Sequence, residues 1–271
     1  MINVTIWYEK LQEMPTPDYR FVHIPEDKKA EVEQYHAKGS NAIKKAYPLG
    51  LGETLKNYIS QMNDVSVTLV SLDMPEFGLP NELLEKTDVL IWWAHVGHDA
   101  VPDELARKIQ DRVLRGMGFI ALHSAHLCKP LRYLLGTSCT LQWREGDFER
   151  IFTTAPTHPI AQGIPASFEL DVEEMYGEYF DIPKPDDVIF TGWFRGGEVF
   201  RSGCTWTRGY GKVFYFQPGH ETNPTYHNPH VLQIIKNAIR WVAPAAPIKE
   251  KIECPHAEVS WGADWLSQLA L

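Results

Sequence analysis

The run Gly118-Phe-Ile-Ala-Leu122, which leads directly into His123-Ser124-Ala125-His126, decides the fold of this sequence. Its residues are apolar or small, and they predict a strand buried on both faces, as in a parallel sheet. Residues just beyond the carboxyl end of such a strand face the ligand site of an open α/β sheet. Enzymes can place a nucleophile at this strand-to-turn position. Here it holds His123, so we expect a metal or general-base site rather than an acyl-transfer site.

The first half of the chain repeats this strand pattern with helices in between. Short apolar runs at residues 2–7, 65–72 and 89–93 have the composition of further buried strands. Residues 52–62 and 102–114 show the periodicity of amphipathic helices. This alternation predicts an α/β fold with an open parallel sheet, helices on both faces and right-handed crossovers.

The pattern changes after about residue 137, where strand-like runs are joined by Gly and Pro turns without a long helix between them. We expect some of them to form an antiparallel extension. The last run should return to the main sheet, and a helix over residues 229–241 should close the fold. The predicted strands of this half are residues 139–154, 167–170, 188–194, 198–208 and 212–216.

The chain is expected to form one α/β domain over residues 1–244, followed by a tail over residues 245–271. The tail begins as a Pro/Ala linker. Trp261, Trp265 and Leu269 then form an apolar stripe at helical spacing, which predicts that the tail docks on the body or on a partner subunit. A homo-oligomer is therefore expected.

Composition excludes several classes of function. The net charge is −9, and the sequence shows no basic stripe for a nucleic-acid backbone. Since no stretch of ~18 apolar residues and no basic leader is seen, we expect a cytoplasmic protein without a membrane partner. The four cysteines lie far apart, which argues against a disulfide framework or a thiolate zinc site. Gly50-Leu-Gly52 lacks the rest of a phosphate-binding motif, so no nucleotide cofactor is expected.

Histidines follow three of the predicted strands, at the edge where a parallel sheet binds ligands. His95 follows the strand at 89–93, His123 the strand at 118–122, and His220 the strand that ends at residue 216. Neighbouring strands lie about 5 Å apart. We therefore predict that these imidazoles share a divalent metal, with zinc the expected ion. Five residues near the same edge are expected to contact the substrate: Trp7, Glu9, His98, Ser124 and Glu221.

Other polar and aromatic residues allow two interpretations. The segment Glu173-Glu174-Met175-Tyr176 is either a solvated turn or the source of a general base or of a carboxylate metal ligand. Ser124 could suggest a serine triad, but His123 occupies the elbow position. Five tryptophans are either ordinary core residues or faces for a sugar ring: Trp7, Trp92, Trp93, Trp143 and Trp193. The remaining histidines are expected to be mostly structural: His23, His36, His158, His227, His230 and His256.

Several motifs together resemble the ThuA-like, or trehalose-utilisation, family over about residues 2–244. They include Leu122-His-Ser124, Thr157-His-Pro-Ile160, Glu173-Glu-Met-Tyr176 and Tyr210-Gly-Lys-Val-Phe-Tyr215 with Gly219-His220. The resemblance implies a flavodoxin-like, class I glutamine amidotransferase-like fold and a link to disaccharide use. In contrast to amidotransferases, His123 replaces the nucleophilic cysteine, so glutamine hydrolysis is not expected.

The resemblance and the histidines lead to three hypotheses about function. The first is a metal-dependent isomerase or lyase of a small carbohydrate, such as an oxidised disaccharide or keto-sugar. In this hypothesis Glu174 takes the acidic proton, and Tyr176 or His126 returns one. The second hypothesis is a non-catalytic sugar-binding or regulatory module. The third is a metal-dependent hydrolase of a glycoside or amide.

Overall fold

A single continuous sheet organises the part of the chain that the computed structural model describes, which is residues 1–22 and 24–256. In these ranges the sheet has nine strands in the spatial order β2-β1-β3-β4-β9-β8-β7-β5-β6. The strands are β1 (Ile2–Tyr8), β2 (Val65–Ser71), β3 (Val89–Trp93), β4 (Gly118–Leu122), β5 (Gln142–Thr153), β6 (Ser167–Gly177), β7 (Asp187–Phe194), β8 (Val199–Arg208) and β9 (Gly211–Phe216).

The parallel half of the sheet contains β2, β1, β3, β4 and β9. Every residue of β3 and of β4 is buried, because helices cover both faces of the sheet. Side chains alternate between the two faces, so Trp92 packs into one hydrophobic core and Ile91 into the other. The open parallel sheet predicted from the sequence is confirmed, and the neighbouring strands β3, β4 and β9 bring three strand ends together.

Helices flank the parallel half on both sides. One face is covered by α1 (Lys29–Ala46), α2 (Leu51–Ile59) and α6 (Pro229–Val242), whose apolar residues share a core. The other face is covered by α3 (Asn81–Lys86), α4 (Asp103–Arg115) and α5 (Lys129–Leu135). The sequence predicted α2, α4 and α6 and missed the others. Among the described side chains of α1 only Ser40 and Ile43 are buried, so little apolar periodicity marks this helix. The helices α3 and α5 are only 6 and 7 residues long.

The antiparallel half continues the same sheet from β9, which pairs in parallel with β4 and antiparallel with β8. The prediction of a strand ending at residue 170 was too short, because β6 continues to Gly177. Glu173, Glu174 and Tyr176 therefore lie on a strand, and the interpretation as a solvated turn was wrong. All three are buried, since β5 and the turn after β9 cover them.

The start of the tail contacts the body. Ile248 packs against the core, and the side chain of Arg115 donates hydrogen bonds to the carbonyl oxygens of Lys249 and Glu250. The predicted stripe of Trp261, Trp265 and Leu269 lies outside the described residues, as does His23. No helix within the described ranges combines the length and the apolar character that crossing a bilayer requires.

Candidate metal and acid–base site

Three imidazoles meet beyond the carboxyl ends of β3, β4 and β9. The ring centroids of His95 and His123 are 5.9 Å apart, those of His95 and His220 are 5.2 Å apart, and those of His123 and His220 are 5.3 Å apart. Each residue lies in a different strand-end loop. The strand order β3-β4-β9 therefore produces the cluster that was predicted from the sequence.

His123 occupies the elbow after β4 in a left-handed backbone conformation, with φ of 54°. The ring is fully buried, and its Nδ1 donates a hydrogen bond to the carbonyl oxygen of Gln217 at 3.0 Å. Its Nε2 lies 3.2 Å from a carboxylate oxygen of Glu174. Burial lowers the pKa of His123, but Glu174 outweighs this and raises it. In a neutral ring, Nε2 and the Glu174 oxygen would face each other as two lone pairs, so either a proton on Nε2 or a bound metal ion would stabilise the contact.

His95 and Glu221 form a second close pair. Nδ1 of His95 lies 2.7 Å from Oε1 of Glu221. Burial lowers the pKa of His95, but the Glu221 carboxylate outweighs this and raises it to about 10. Burial raises the pKa of Glu221, but His95 outweighs this and lowers it to about 2. The pair is an imidazole oriented by a carboxylate, which is the usual arrangement of a general acid or base.

The turn that carries His220 is held by Glu173, a residue to which the sequence analysis gave no separate role. The carboxylate of Glu173 accepts hydrogen bonds from the backbone N–H groups of Gly219 at 3.0 Å and His220 at 3.1 Å. It also accepts one from the hydroxyl of Thr225 at 2.6 Å. If this segment had been predicted as a strand, the alternation of side chains between its two faces would have indicated different roles for Glu173 and Glu174.

Thr222 contacts the other side of the His220 ring. Its hydroxyl lies 2.8 Å and its backbone N–H 3.2 Å from Nδ1 of His220. Because the backbone N–H of Thr222 donates to Nδ1, this nitrogen is an acceptor here and the neutral ring carries its proton on Nε2. Binding of an ion through Nε2 would require the proton to move to Nδ1, where the hydroxyl of Thr222 could accept the hydrogen bond.

Among the residues that the structure describes, two sets of side chains have the spacing of metal ligands, and both include His220. In one set, ligand atoms of His123, Glu174 and His220 lie within 4.8 Å of one another, and in the other those of His95, His220 and Glu221 do so. His95 and His123 fall in different sets, so the predicted trio of histidines is not itself one set. A carboxylate completes each set: Glu174, expected as the base, in one, and Glu221, expected to contact substrate, in the other.

Glu9 and Trp7 have structural roles at the end of β1. The fully buried carboxylate of Glu9 accepts hydrogen bonds from the backbone N–H groups of Val96 at 2.9 Å and Gly97 at 2.7 Å. It therefore holds the loop that carries His95 rather than facing a substrate. Trp7 is buried and stacks on Trp92 with ring centroids 3.7 Å apart. Both tryptophans are core residues, as is Trp93.

His126 is buried next to the site and stays neutral. Its Nδ1 donates a hydrogen bond to the carbonyl oxygen of Cys139 at 2.6 Å. Burial lowers the pKa of His126 to about 3, so near neutral pH its Nε2 can accept a hydrogen bond but carries no proton to give to a substrate. His98 is also largely enclosed, and burial lowers its pKa.

Tyr176 lies on β6 and packs against His123. Its ring stacks on His123, with centroids 5.3 Å apart and an interplanar angle of 15°. Burial raises the pKa of Tyr176 well above its usual range, and its hydroxyl contacts Ser124 and Glu174. The phenol therefore keeps its proton and can act as a hydrogen-bond donor in the site.

A cavity of about 480 Å³, the large chamber, opens beside these groups. Such a volume lies in the range of small-molecule sites, roughly 300–1,000 Å³. Trp143 is 61% exposed, and it is the one of the five tryptophans that lines this chamber. The walls are formed by His95, Val96, Ser124, His126, Leu127, Thr140, Leu141, Trp143, Glu145, Glu174 and Tyr176.

Three of the four cysteines are enclosed by the fold. Cys128, Cys139 and Cys204 are buried, and burial raises the pKa of each thiol. A thiol held in its protonated form is a poor nucleophile.

Comparison with known proteins links the chain to one family. The ThuA family, described as trehalose utilisation, matches residues 24–242. No curated protein shows significant similarity to the sequence.

Solved structures share the fold at low sequence identity. A putative ThuA-like protein from Parabacteroides merdae has a TM-score of 0.57 at 13% identity, with 93% of this chain and 92% of that chain covered. A putative ThuA-like protein from Bacteroides uniformis has a TM-score of 0.50 at 17% identity, with 89% and 91% covered. A protein from Salmonella typhimurium described as cytoplasmic has a TM-score of 0.53 at 13% identity, with 70% and 86% covered.

Proposed function

The chain belongs to the ThuA family of trehalose utilisation, and on that premise we propose that it is a metal-dependent isomerase or lyase of an oxidised disaccharide or keto-sugar. Family membership implies a role in trehalose utilisation. The chemistry is our inference from the site. We also propose a cytoplasmic, homo-oligomeric protein, and the description of the Salmonella typhimurium relative as cytoplasmic supports the location.

The observation that carries the proposal is the contact between His123 and Glu174. Nε2 of His123 is buried and lies 3.2 Å from the Glu174 carboxylate. Its Nδ1 is already used by the carbonyl oxygen of Gln217, as is usual for a metal-bound imidazole. With His220, these residues offer two imidazoles and one carboxylate, a ligand set that suits catalytic zinc. A bound divalent ion would supply Lewis acidity toward a sugar carbonyl or hydroxyl.

His95 is placed to move a proton beside this ligand set. Glu221 fixes its ring through Nδ1, at 2.7 Å, so Nε2 is the nitrogen left for a substrate. Since Glu221 raises the pKa of His95 to about 10, the ring is protonated when no cation is near. A neighbouring divalent charge would lower this pKa and favour the neutral ring. His95 is thus suited to take the acidic proton next to a carbonyl, the role that the sequence analysis gave to Glu174.

The large chamber fits a carbohydrate. Its polar wall carries the Tyr176 phenol as a donor and His126 as a neutral acceptor. Trp143 offers an exposed aromatic face against which a sugar ring can lie. Sugars present both donors and acceptors around an apolar ring face, so this combination of groups matches them.

Two measurements test the proposal. Protein purified without chelator should contain a stoichiometric divalent ion, and it should catalyse deuterium exchange next to the ketone of a keto-disaccharide in D₂O, followed by NMR. His95→Gln should keep the ion and lose exchange, whereas the control His227→Gln, at an exposed histidine, should keep both. An ion-free protein that binds the sugar without exchange would contradict the proposal and favour a binding module.

A further inference from the structure

A second, smaller cavity lies next to the large chamber and shares His95 and Val96 with it. This small chamber has a volume of about 170 Å³. Such a space corresponds to roughly five or six waters at ~30 Å³ each, which is close to one six-membered carbon ring. Its wall is largely aliphatic and is built by the segment before and within α1: Leu11, Pro17, Val22, Ile24, Val32 and Ile43.

Three polar oxygens in the wall of the small chamber lack a hydrogen-bond partner. They are Oε1 of Gln12, Oγ of Ser40 and Oε2 of Glu221, all buried. Ser40 is only 4% exposed and Glu221 only 5%. Buried polar atoms are rarely left without partners, because each one loses its hydration without compensation. Each of these oxygens can therefore accept a hydrogen bond from a bound hydroxyl or another donor.

We propose that the small chamber binds a small alcohol with an apolar body, which is the aglycone side of a glycoside substrate. The aliphatic wall contacts the body of the alcohol, and its hydroxyl donates to Oε2 of Glu221 or to Oγ of Ser40. The identification as an aglycone rests on the proposed function, because the large chamber would then hold the keto-sugar. The affinity for a free alcohol does not rest on it.

Gly39 allows the small chamber to be filled without disturbing the fold. It lines the chamber, and a Cβ built on it meets no atom within 4 Å. Gly39 also lies within α1, where leucine is a better helix former than glycine. Gly39→Leu should therefore occupy the cavity while the melting temperature stays unchanged or rises. The neighbouring residue Lys38 is exposed on the same helix, so Lys38→Leu is the matched control.

The experiment titrates phenol into the full-length, metal-stripped protein and follows saturable chemical-shift changes by NMR. Anisole, in which a methyl group caps the hydroxyl, is the comparison ligand. We expect phenol to bind ~3- to 10-fold more tightly than anisole, the ratio for one hydrogen bond. Ser40→Ala should reduce that ratio, Gly39→Leu should abolish binding, and Lys38→Leu should bind as the parent does.

Each result decides the proposal. No saturable binding of phenol would mean that water alone fills the small chamber. Equal binding to the parent and to Gly39→Leu would place phenol elsewhere, and either result overturns the proposal. Failure of the proposed function is seen separately, as absent metal or absent deuterium exchange with phenol binding intact. If exchange is present, Gly39→Leu should slow turnover of a phenyl keto-glycoside and leave that of the methyl keto-glycoside unchanged.

Discussion

The carboxylate of Glu221 lies 2.7 Å from Nδ1 of His95, although 126 positions separate the two residues in the chain. Glu221 raises the pKa of His95 to about 10, against the effect of burial. In Glu221→Gln the His95 pKa should fall below that value in metal-free protein, and turnover should fall ~10²-fold because the ring loses its orientation. An NMR titration of the His95 ring protons measures the first effect. Glu169→Gln, at an exposed ion pair with Arg150, is the control, and an unchanged His95 pKa in Glu221→Gln would refute this pairing.

Loss of a metal ligand should be visible in the metal content itself. His123→Ala, His220→Ala and Glu174→Gln should each lose most of the bound ion, because all three supply atoms of one ligand set. The sequence alone favoured Glu174 as a base that keeps the ion. Elemental analysis after dialysis distinguishes these roles, with His227→Gln as the control. If Glu174→Gln kept its full metal content but had low turnover, Glu174 would be the general base and not a ligand.

Metal affinity should fall as the pH is lowered, and because Glu174 raises the pKa of His123 the fall should begin above ~6.5, the usual pKa of a histidine. Protons then compete with the ion for the nitrogen lone pairs of His123 and His220. Equilibrium dialysis against a fixed concentration of zinc at pH 8 and at pH 5 measures this effect. Equal occupancy at the two values would count strongly against imidazole ligands.

Glu173→Ala should destabilise the fold, because the substitution leaves several buried donors of the turn at residues 219–225 without an acceptor. We expect the free energy of unfolding to fall by about 3 kcal/mol. Urea unfolding measures it, and Glu169→Ala on the exposed part of the same strand is the control. Metal affinity should fall as well, since the same turn carries His220. A variant as stable as the parent would exclude this anchoring role.

His126 should make the protein less stable in mild acid. Burial lowers its pKa to about 3 in the folded state, whereas a histidine of the unfolded chain titrates near ~6.5. As the pH falls below ~6.5, His126 becomes protonated in the unfolded state but stays neutral in the folded state. Stability is therefore lost towards pH 3, at up to ~1.4 kcal/mol per pH unit. Urea unfolding in the presence of a chelator measures the free energy of unfolding at each pH. This free energy should depend less steeply on pH for His126→Gln than for the parent, and the same pH dependence in both proteins would contradict the lowered pKa of His126.

The parallel half of the fold could be predicted from sequence because its strands are buried on both faces. Burial on both faces leaves a local mark, a short run such as residues 118–122 that is apolar throughout. Helices with a strong apolar stripe leave a local mark too. The helix α1 has no such stripe, because few of its residues are buried. The length of β6 was missed because a strand carrying buried Glu173 and Glu174 looks like a charged turn until the fold supplies their partners.

The sequence by itself determined that His95, His123 and His220 reach one edge of the sheet, because each follows a strand that ends there. Only the tertiary structure decided which carboxylate each imidazole meets: Glu221 for His95 and Glu174 for His123. The tertiary structure also showed that Glu9 and Glu173 accept hydrogen bonds from the backbone of the loops that carry His95 and His220. The physical reason is that a carboxylate looks the same in sequence whether it binds an ion, an imidazole or backbone N–H groups. Its partner depends on strand order and side-chain direction, which bring together residues far apart in the chain.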